Sequence, residues 1–166
     1  MNYYLKELWE KINSSDVSER ERAQSEWSKN DKLYQEYFEH VVKEKLSKKF
    51  LSALQNNHFL HDKKIKTIDF YTRNGTVELR LCVVLGNGRR FNIRFHDISE
   101  CSVHYYEEMG EKGDLFCSYL EIYSLEDGSF LINMLCGFSL EIELKAKRIF
   151  CEYDKEKKRI RESGDG

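Results

Sequence analysis

The chain of 166 residues contains no proline, where ordinary usage near 5% would supply about eight. That absence excludes Pro-rich linkers, PxxP ligands and switches built on a cis-proline. Charge of one sign is also lacking: 27 Lys and Arg stand against 29 Asp and Glu, a net charge of -2. A surface so balanced does not grip nucleic acid or an anionic membrane over its whole extent. Long uncharged apolar runs are missing, so no membrane span is expected. There is no Cys-x-x-Cys either, and the five cysteines (Cys82, Cys101, Cys117, Cys136, Cys151) lie 15 to 19 residues apart. They encode neither a disulfide framework nor a thiolate zinc site, and read as small buried hydrophobes in a reducing compartment. The opening residues are charged by Lys6 and hold no signal-peptide core, so the expected location is the cytoplasm. Phosphate loops, the Rossmann glycine fingerprint, Gly-x-Ser-x-Gly and His-Glu-x-x-His are all absent. No cofactor and no closed metal-ligand set are implied.

What is present is enough apolar and aromatic content for a packed core: 40% AVILMFWYC and 13% aromatic. The first 58 residues lack glycine, balance ten Lys/Arg against ten Asp/Glu, and repeat apolar residues at three and four. That part is expected to be helical. Tyr4, Leu5, Leu8, Trp9 and Ile12 form one stripe, and Ser15 or Asp16 is placed to cap a second helix ending near Ser28. Asn30-Asp31 reads as a break and a new cap. A third helix then carries Leu33, Tyr34, Tyr37, Phe38, Val41, Val42 and Leu46; Phe50, Leu51 and Leu54 continue the pattern either in the same helix or after a bend near Ser47, and Asn56-Asn57 ends it.

From Ile65 the period becomes two. Val77, Leu79, Leu81, Val83 and Leu85 alternate with polar residues, as do Phe91, Ile93 and Phe95. Joining these strands through Gly86-Asn87-Gly88 as a three-residue loop pairs Val83 with Phe91 and Leu81 with Ile93, and sets Glu78 opposite His96. Further strands are expected at 65–71, 101–106, 117–125, 129–136, 139–145 and 147–153. Seven or eight strands in sequence without intervening helices make a mostly antiparallel, curved sheet. The expected fold class is therefore α+β, with N-terminal helices packed on that sheet. One domain over 1–153 is expected, with 1–58 helical, 59–153 the sheet part, and a charged tail at 154–166.

Residues 57–150 resemble, in order, a family of uncharacterised bacterial proteins with a domain of unknown function. The matching pieces are Phe59-Leu60-His61-Asp62-Lys63-Lys64-Ile65, the hairpin from Tyr119-Leu120-Glu121-Ile122-Tyr123 through Gly128 to Leu135, and Leu140-Glu141-Ile142-Glu143 with Ala146 and Ile149. The family carries tryptophans where this chain has Phe116, Cys117 and Ser118. The resemblance implies a helical N-terminus followed by an antiparallel sheet domain, distantly similar to small proteins that confer immunity to bacterial toxins.

Two groups of residues are candidates for function. Tyr119, Glu121 and Tyr123 share one strand face. Aromatics flanking a carboxylate suit a protein-binding hot spot, while a helix-covered face with Glu121 paired to Arg80, Arg90 or Arg94 is the structural alternative. His61-Asp62 sits where helix passes to strand. It reads either as a capped turn with His61 packed on the sheet edge, or as a metal or acid/base site completed by Glu121 or His96. Residues 107–153 hold four basic against ten acidic side chains, and Glu107, Glu108, Glu111 and Asp114 cluster in one loop. The sequence therefore points to a non-enzymatic protein-binding module for a basic protein partner, an immunity-type inhibitor being its most concrete form. The alternative is a metal-dependent hydrolase or nuclease using His61, Asp62 and Glu121. Nothing in the pattern fixes an oligomeric state.

Overall fold

In the computed structural model the described residues are 2–105, 115–137 and 139–154. The first helix, α1 (Lys6–Ile12), is short, and the chain turns at Asn13 before α2 (Val17–Tyr37) begins. Asp16 caps α2 by accepting from the Glu19 N–H at 3.1 Å, which satisfies a donor that every helix start leaves free. The break expected at Asn30-Asp31 does not occur. Asn30 Nδ2 donates to the Tyr3 carbonyl at 3.0 Å, and Asp31 Oδ1 accepts from the Tyr4 hydroxyl at 2.6 Å. Both side chains reach out to the N-terminal segment rather than back to their own backbone, so they do not compete with the helix. Beyond Tyr37 the backbone widens into a π-helical turn, Phe38–Val42, then tightens into a 3-10 turn, Lys43–Lys45. The widened turn buries Phe38 and Val42 completely. Of the two courses left open after Leu46, the chain takes the bend: Ser47 caps a separate helix, α3 (Lys48–Asn56), accepting from Phe50 N–H at 3.3 Å.

Six antiparallel strands follow: β1 (Lys63–Arg73), β2 (Thr76–Val84), β3 (Arg90–Tyr105), β4 (Phe116–Ser124), β5 (Phe130–Cys136) and β6 (Leu140–Tyr153). They close into a barrel in the order β1-β2-β3-β6-β5-β4. Among the described residues six strands replace the expected seven or eight, because the strands expected at 89–97 and from 101 fall on one strand, β3 (Arg90–Tyr105), and those expected at 139–145 and 147–153 fall on β6 (Leu140–Tyr153). What read as a break is a bend. Asp97 takes a left-handed conformation (φ 55°) and the register slips between Ile98 and Glu100, while pairing to β6 runs from Phe91↔Tyr153 to Tyr105↔Leu140. The hairpin register is as expected: Val83 faces Phe91, Leu81 faces Ile93, and Glu78 Oε1 meets His96 Nδ1 at 2.8 Å. Gly88 makes the loop possible at φ 76°, a conformation glycine adopts without cost.

Barrel-facing side chains such as Leu79, Leu81, Phe91, Ile93, Ile132 and Met134 are fully buried, in one cluster with Phe38, Phe50 and Leu54 of the helical part. Cys117, Cys136 and Cys151 join that cluster, Cys82 is buried outside it and Cys101 is exposed. Burial pushes the Cys136 thiol up to about 12 and the Cys117 thiol well above its ordinary value, so neither is a reactive thiolate.

Among the described residues the seam between β1 and β4 is short, with Lys63↔Cys117 and Lys64↔Phe116 paired. Further along β4 helix α2 takes over. The Tyr34 hydroxyl accepts from Ile122 N–H at 2.7 Å and the Tyr37 hydroxyl from Ser124 N–H at 3.2 Å. Two phenols thus cap donors that an open sheet edge would leave free. Among the described residues no helix is long and apolar enough to cross a membrane.

Candidate binding site

The outward face of β4 carries Tyr119, Glu121 and Tyr123, as the alternation requires. At its Glu121 end this face is closed. Glu121 is 0% exposed, and its carboxylate accepts from three successive backbone N–H groups: Asn2 at 2.9 Å, Tyr3 at 2.9 Å and Tyr4 at 2.7 Å. The Tyr123 hydroxyl donates to the same carboxylate, which together with burial pushes that phenol up. Tyr3 stacks over Tyr123, and Tyr34 meets both rings. This end is covered, as the structural alternative requires, but the cover over Glu121 is the non-helical segment before α1 and the partner is not an arginine. Arg80 donates to Asn92 at 2.9 Å and 3.2 Å, Arg94 lies 3.5 Å from Glu152, and Arg90 lies 4.0 Å from Asp154. A buried carboxylate answered by backbone amides holds the N-terminal segment against the barrel.

At the Tyr119 end the same face opens into a cleft of about 350 Å³, lined by Tyr4, Asp31, Tyr34, Gln35, His58, Phe59, His61, Ser118, Tyr119 and Leu120. Two local irregularities shape it. Ser118 is an extra residue in β4, where the register to β5 slips between Cys117 and Tyr119. It is 6% exposed and lines the cleft. Opposite, His58, Phe59 and Leu60 lie in succession in the left-handed region (φ 51°, 52° and 65°), and Asp62 joins them at 57°. Each such residue costs about 1–2 kcal/mol for an L side chain, so a run of them persists only where surroundings enforce it. Leu60 is fully buried, Phe59 meets Phe38 edge-on at 5.0 Å, and Asp62 N–H donates to the Cys117 carbonyl at 2.8 Å.

The turn delivers His61 and Asp62 to the rim of the cleft. His61 Nδ1 lies 2.9 Å from Asp62 Oδ2, and its ring meets Tyr119 edge-on at 5.0 Å. Asp62 therefore turns its carboxylate to His61 rather than capping the turn. On the far side Tyr4 stacks on Tyr119 at 4.6 Å and holds Asp31 through its hydroxyl. Burial, then the nearby charges of Asp62 and Asp31, push the Tyr119 phenol up.

Of the residues singled out in the sequence, His61, Asp62 and Tyr119 are brought together. Glu121 and Tyr123 lie under the N-terminal segment. His96 is bound to Glu78 on another part of the barrel wall. The set His61, Asp62 and Glu121 is not assembled: among the described residues no three His, Cys, Asp or Glu side chains lie close enough to share a metal. Glu107, Glu108, Glu111 and Asp114 lie outside the described residues. Asp31, Tyr4, His58 and Ser118 were not legible as site residues. Asp31 reads locally as a cap, and only the return of the N-terminal segment turns it into a wall of the cleft.

No family model and no curated protein matches the chain. A crystal structure of an uncharacterized protein from Neisseria gonorrhoeae aligns with 55% of this chain and 91% of that one, at 22% identity and a TM-score of 0.45.

Proposed function

We propose that the protein is a non-enzymatic protein-binding module that recognises a basic protein partner, in its most concrete form an immunity-type inhibitor that blocks a bacterial toxin by occlusion. The supporting observation is the contrast in the β4 wall: its buried carboxylate serves structure, while its open cleft offers aromatic rings and the Asp31 carboxylate, with Asp62 beside the lining His61. Aromatic anchors on a rigid strand suit a hot spot, since they bury large area with few rotamers to freeze. The acidic character expected of the binding surface rests here on Asp31 and Asp62 instead of on Glu121. Occlusion requires no chemistry of the module itself, only a surface held in place before the partner arrives. The proposed setting is the cytoplasm, where free thiols stay reduced.

The test is capture by the tagged full-length chain from lysate of its source organism. A basic protein should be retained at low salt, released by about 0.5 M salt, and retained less by the Asp31→Asn/Asp62→Asn variant. A captured set that ignores both salt and the two substitutions would overturn the reading.

A further inference from the structure

We infer that the Tyr119 cleft is a receptor for the guanidinium group of an arginine side chain carried by the partner, an inference that rests on the protein-binding reading. The fixed charge of the cleft is one-sided. No lysine or arginine lines it, while Asp31 does. Asp31 gives only Oδ1 to Tyr4, and Asp62, outside the lining but held beside the lining His61, gives only Oδ2 to that ring. Ser118, nine-tenths buried, makes no hydrogen bond to any described residue and lines the same space. Carboxylate oxygens and a hydroxyl around a small cavity call for a ligand rich in N–H donors.

Shape selects among such ligands. The walls are planar rings: Tyr4, Tyr34, Phe59 and Tyr119. A guanidinium is flat, carries five donors in a fixed fork and lies well against aromatic faces, whereas an ammonium is a compact, strongly hydrated point charge. About 350 Å³ is at the small end of ligand sites, fitting one side chain rather than a large cofactor. The left-handed run at 58–60 and the bulge at Ser118 fix the two walls before binding, so little ordering has to accompany it.

The experiment is a titration of the isotopically labelled full chain, followed by amide resonances, with N-acetyl-arginine amide, its neutral citrulline counterpart, the lysine counterpart and free arginine. The blocked arginine probe should move resonances of 31–35, 58–62 and 118–120. Citrulline should bind at least about tenfold more weakly, since charge-assisted bonds to carboxylate are lost, and lysine should fall between them. Asp62→Asn should weaken the arginine probe about three- to tenfold; asparagine keeps the tolerance for a left-handed backbone, so that variant retains the turn. Citrulline binding as tightly as arginine, or shifts scattered away from the cleft, would overturn the guanidinium assignment. Free arginine binding about tenfold tighter than the blocked probe would overturn the side-chain assignment in favour of a metabolite site. Should the probe fail while partner capture still depends on Asp31 and Asp62, the guanidinium falls and the protein-binding reading stands. A probe that binds while capture ignores both aspartates would overturn that reading and leave the chemistry of the cleft intact.

Discussion

Tyr119 and Glu121 are two residues apart on one face of one strand, yet they do opposite work. Glu121 lies under the N-terminal segment with four donors on its carboxylate, and the fold uses all of its hydrogen-bonding capacity. Tyr119 lies where the covering layer has parted, between the left-handed turn and α2, with Asp31 in the cleft wall and Asp62 beside His61. The alternating pattern decides which face a residue takes, whereas the tertiary cover decides whether that face is structure or surface. The N-terminal segment draws the boundary. Its backbone closes the Glu121 end, and its Tyr4 ring and hydroxyl build a wall of the Tyr119 end.

The strongest way to break this contrast is to remove the cover altogether. A chain beginning at Asn57 loses the donors to Glu121, the Tyr34 and Tyr37 hydroxyls over the β4 edge, and the Phe38, Phe50 and Leu54 side chains of the core. It should be insoluble or lack a cooperative urea transition. A cooperative melt with native near-ultraviolet dichroism would show that the barrel stands alone and that the helical layer is an accessory.

Next in size is Glu121→Ala, which leaves three backbone donors and a phenol without their acceptor. The expected loss is about 3–5 kcal/mol, in the range of a core deletion such as Leu81→Ala at about 2–5 kcal/mol. Urea melts of the two variants side by side decide it. A Glu121→Ala loss under about 1 kcal/mol would mean that the covered end behaves as free surface.

Alkali probes the same cover without mutation. Burial pushes the phenols of Tyr4, Tyr34 and Tyr123 above their ordinary value of 10.0. A folded-state value raised above the unfolded one gives stability that is complete below pH 10 and lost as pH rises past it, because the unfolded chain ionises first. Thermal midpoints should hold to about pH 9 and fall steeply above about pH 10, with the fall reduced in Tyr123→Phe. An equal fall in that variant would place the sensitivity elsewhere.

These contrasts also mark how far the sequence could be read. Period-two alternation, the Gly86-Asn87-Gly88 loop and the cap at Asp16 are local signals, and each carries into the structure as expected. Asn30-Asp31 gave the same kind of local signal and misled, because its side chains answer Tyr3 and Tyr4, nearly thirty residues away in sequence. The strand count failed for a related reason: a bulge at Asp97 and a register slip near Glu100 look like an interruption in one dimension and are a bend in three. For the candidate site, Tyr119, His61 and Asp62 were legible as residue types, but their meeting depends on a left-handed turn without a single glycine, which no propensity foretells.

A smaller effect separates the two hydroxyls that guard the β4 edge. Tyr34 is buried and Tyr37 only partly so, and their bonds to Ile122 N–H and Ser124 N–H are 2.7 Å and 3.2 Å long. Tyr34→Phe should cost about 1–3 kcal/mol by orphaning a buried amide, while Tyr37→Phe, whose amide can turn to water, should cost less than about 1 kcal/mol. Hydrogen exchange at Ile122 should accelerate in the first variant and not in the second; the reverse would show that the edge is guarded from the other end.

The smallest effect falls on Asp62, and it sharpens the open side of the contrast. The Asp62 side chain is 78% exposed and its ion-pair partner His61 is 45% exposed, so the pair is screened and contributes at most about 1 kcal/mol. Its backbone is left-handed at φ 57°, a conformation that asparagine and glycine tolerate and alanine resists. If the carboxylate serves binding, Asp62→Asn and Asp62→Gly should both melt within about 0.5 kcal/mol of the parent and both lose affinity for a basic partner, whereas Asp62→Ala should lose about 1 kcal/mol more through backbone strain alone. If instead the His61 pair holds the turn, Asn and Gly should themselves lose clearly more than about 0.5 kcal/mol, with Ala lower still by the same backbone strain. The losses of Asn and Gly therefore report the side chain, and the further step to Ala reports the backbone. Large losses in Asn and Gly would move Asp62 to the structural side of the wall, beside Glu121.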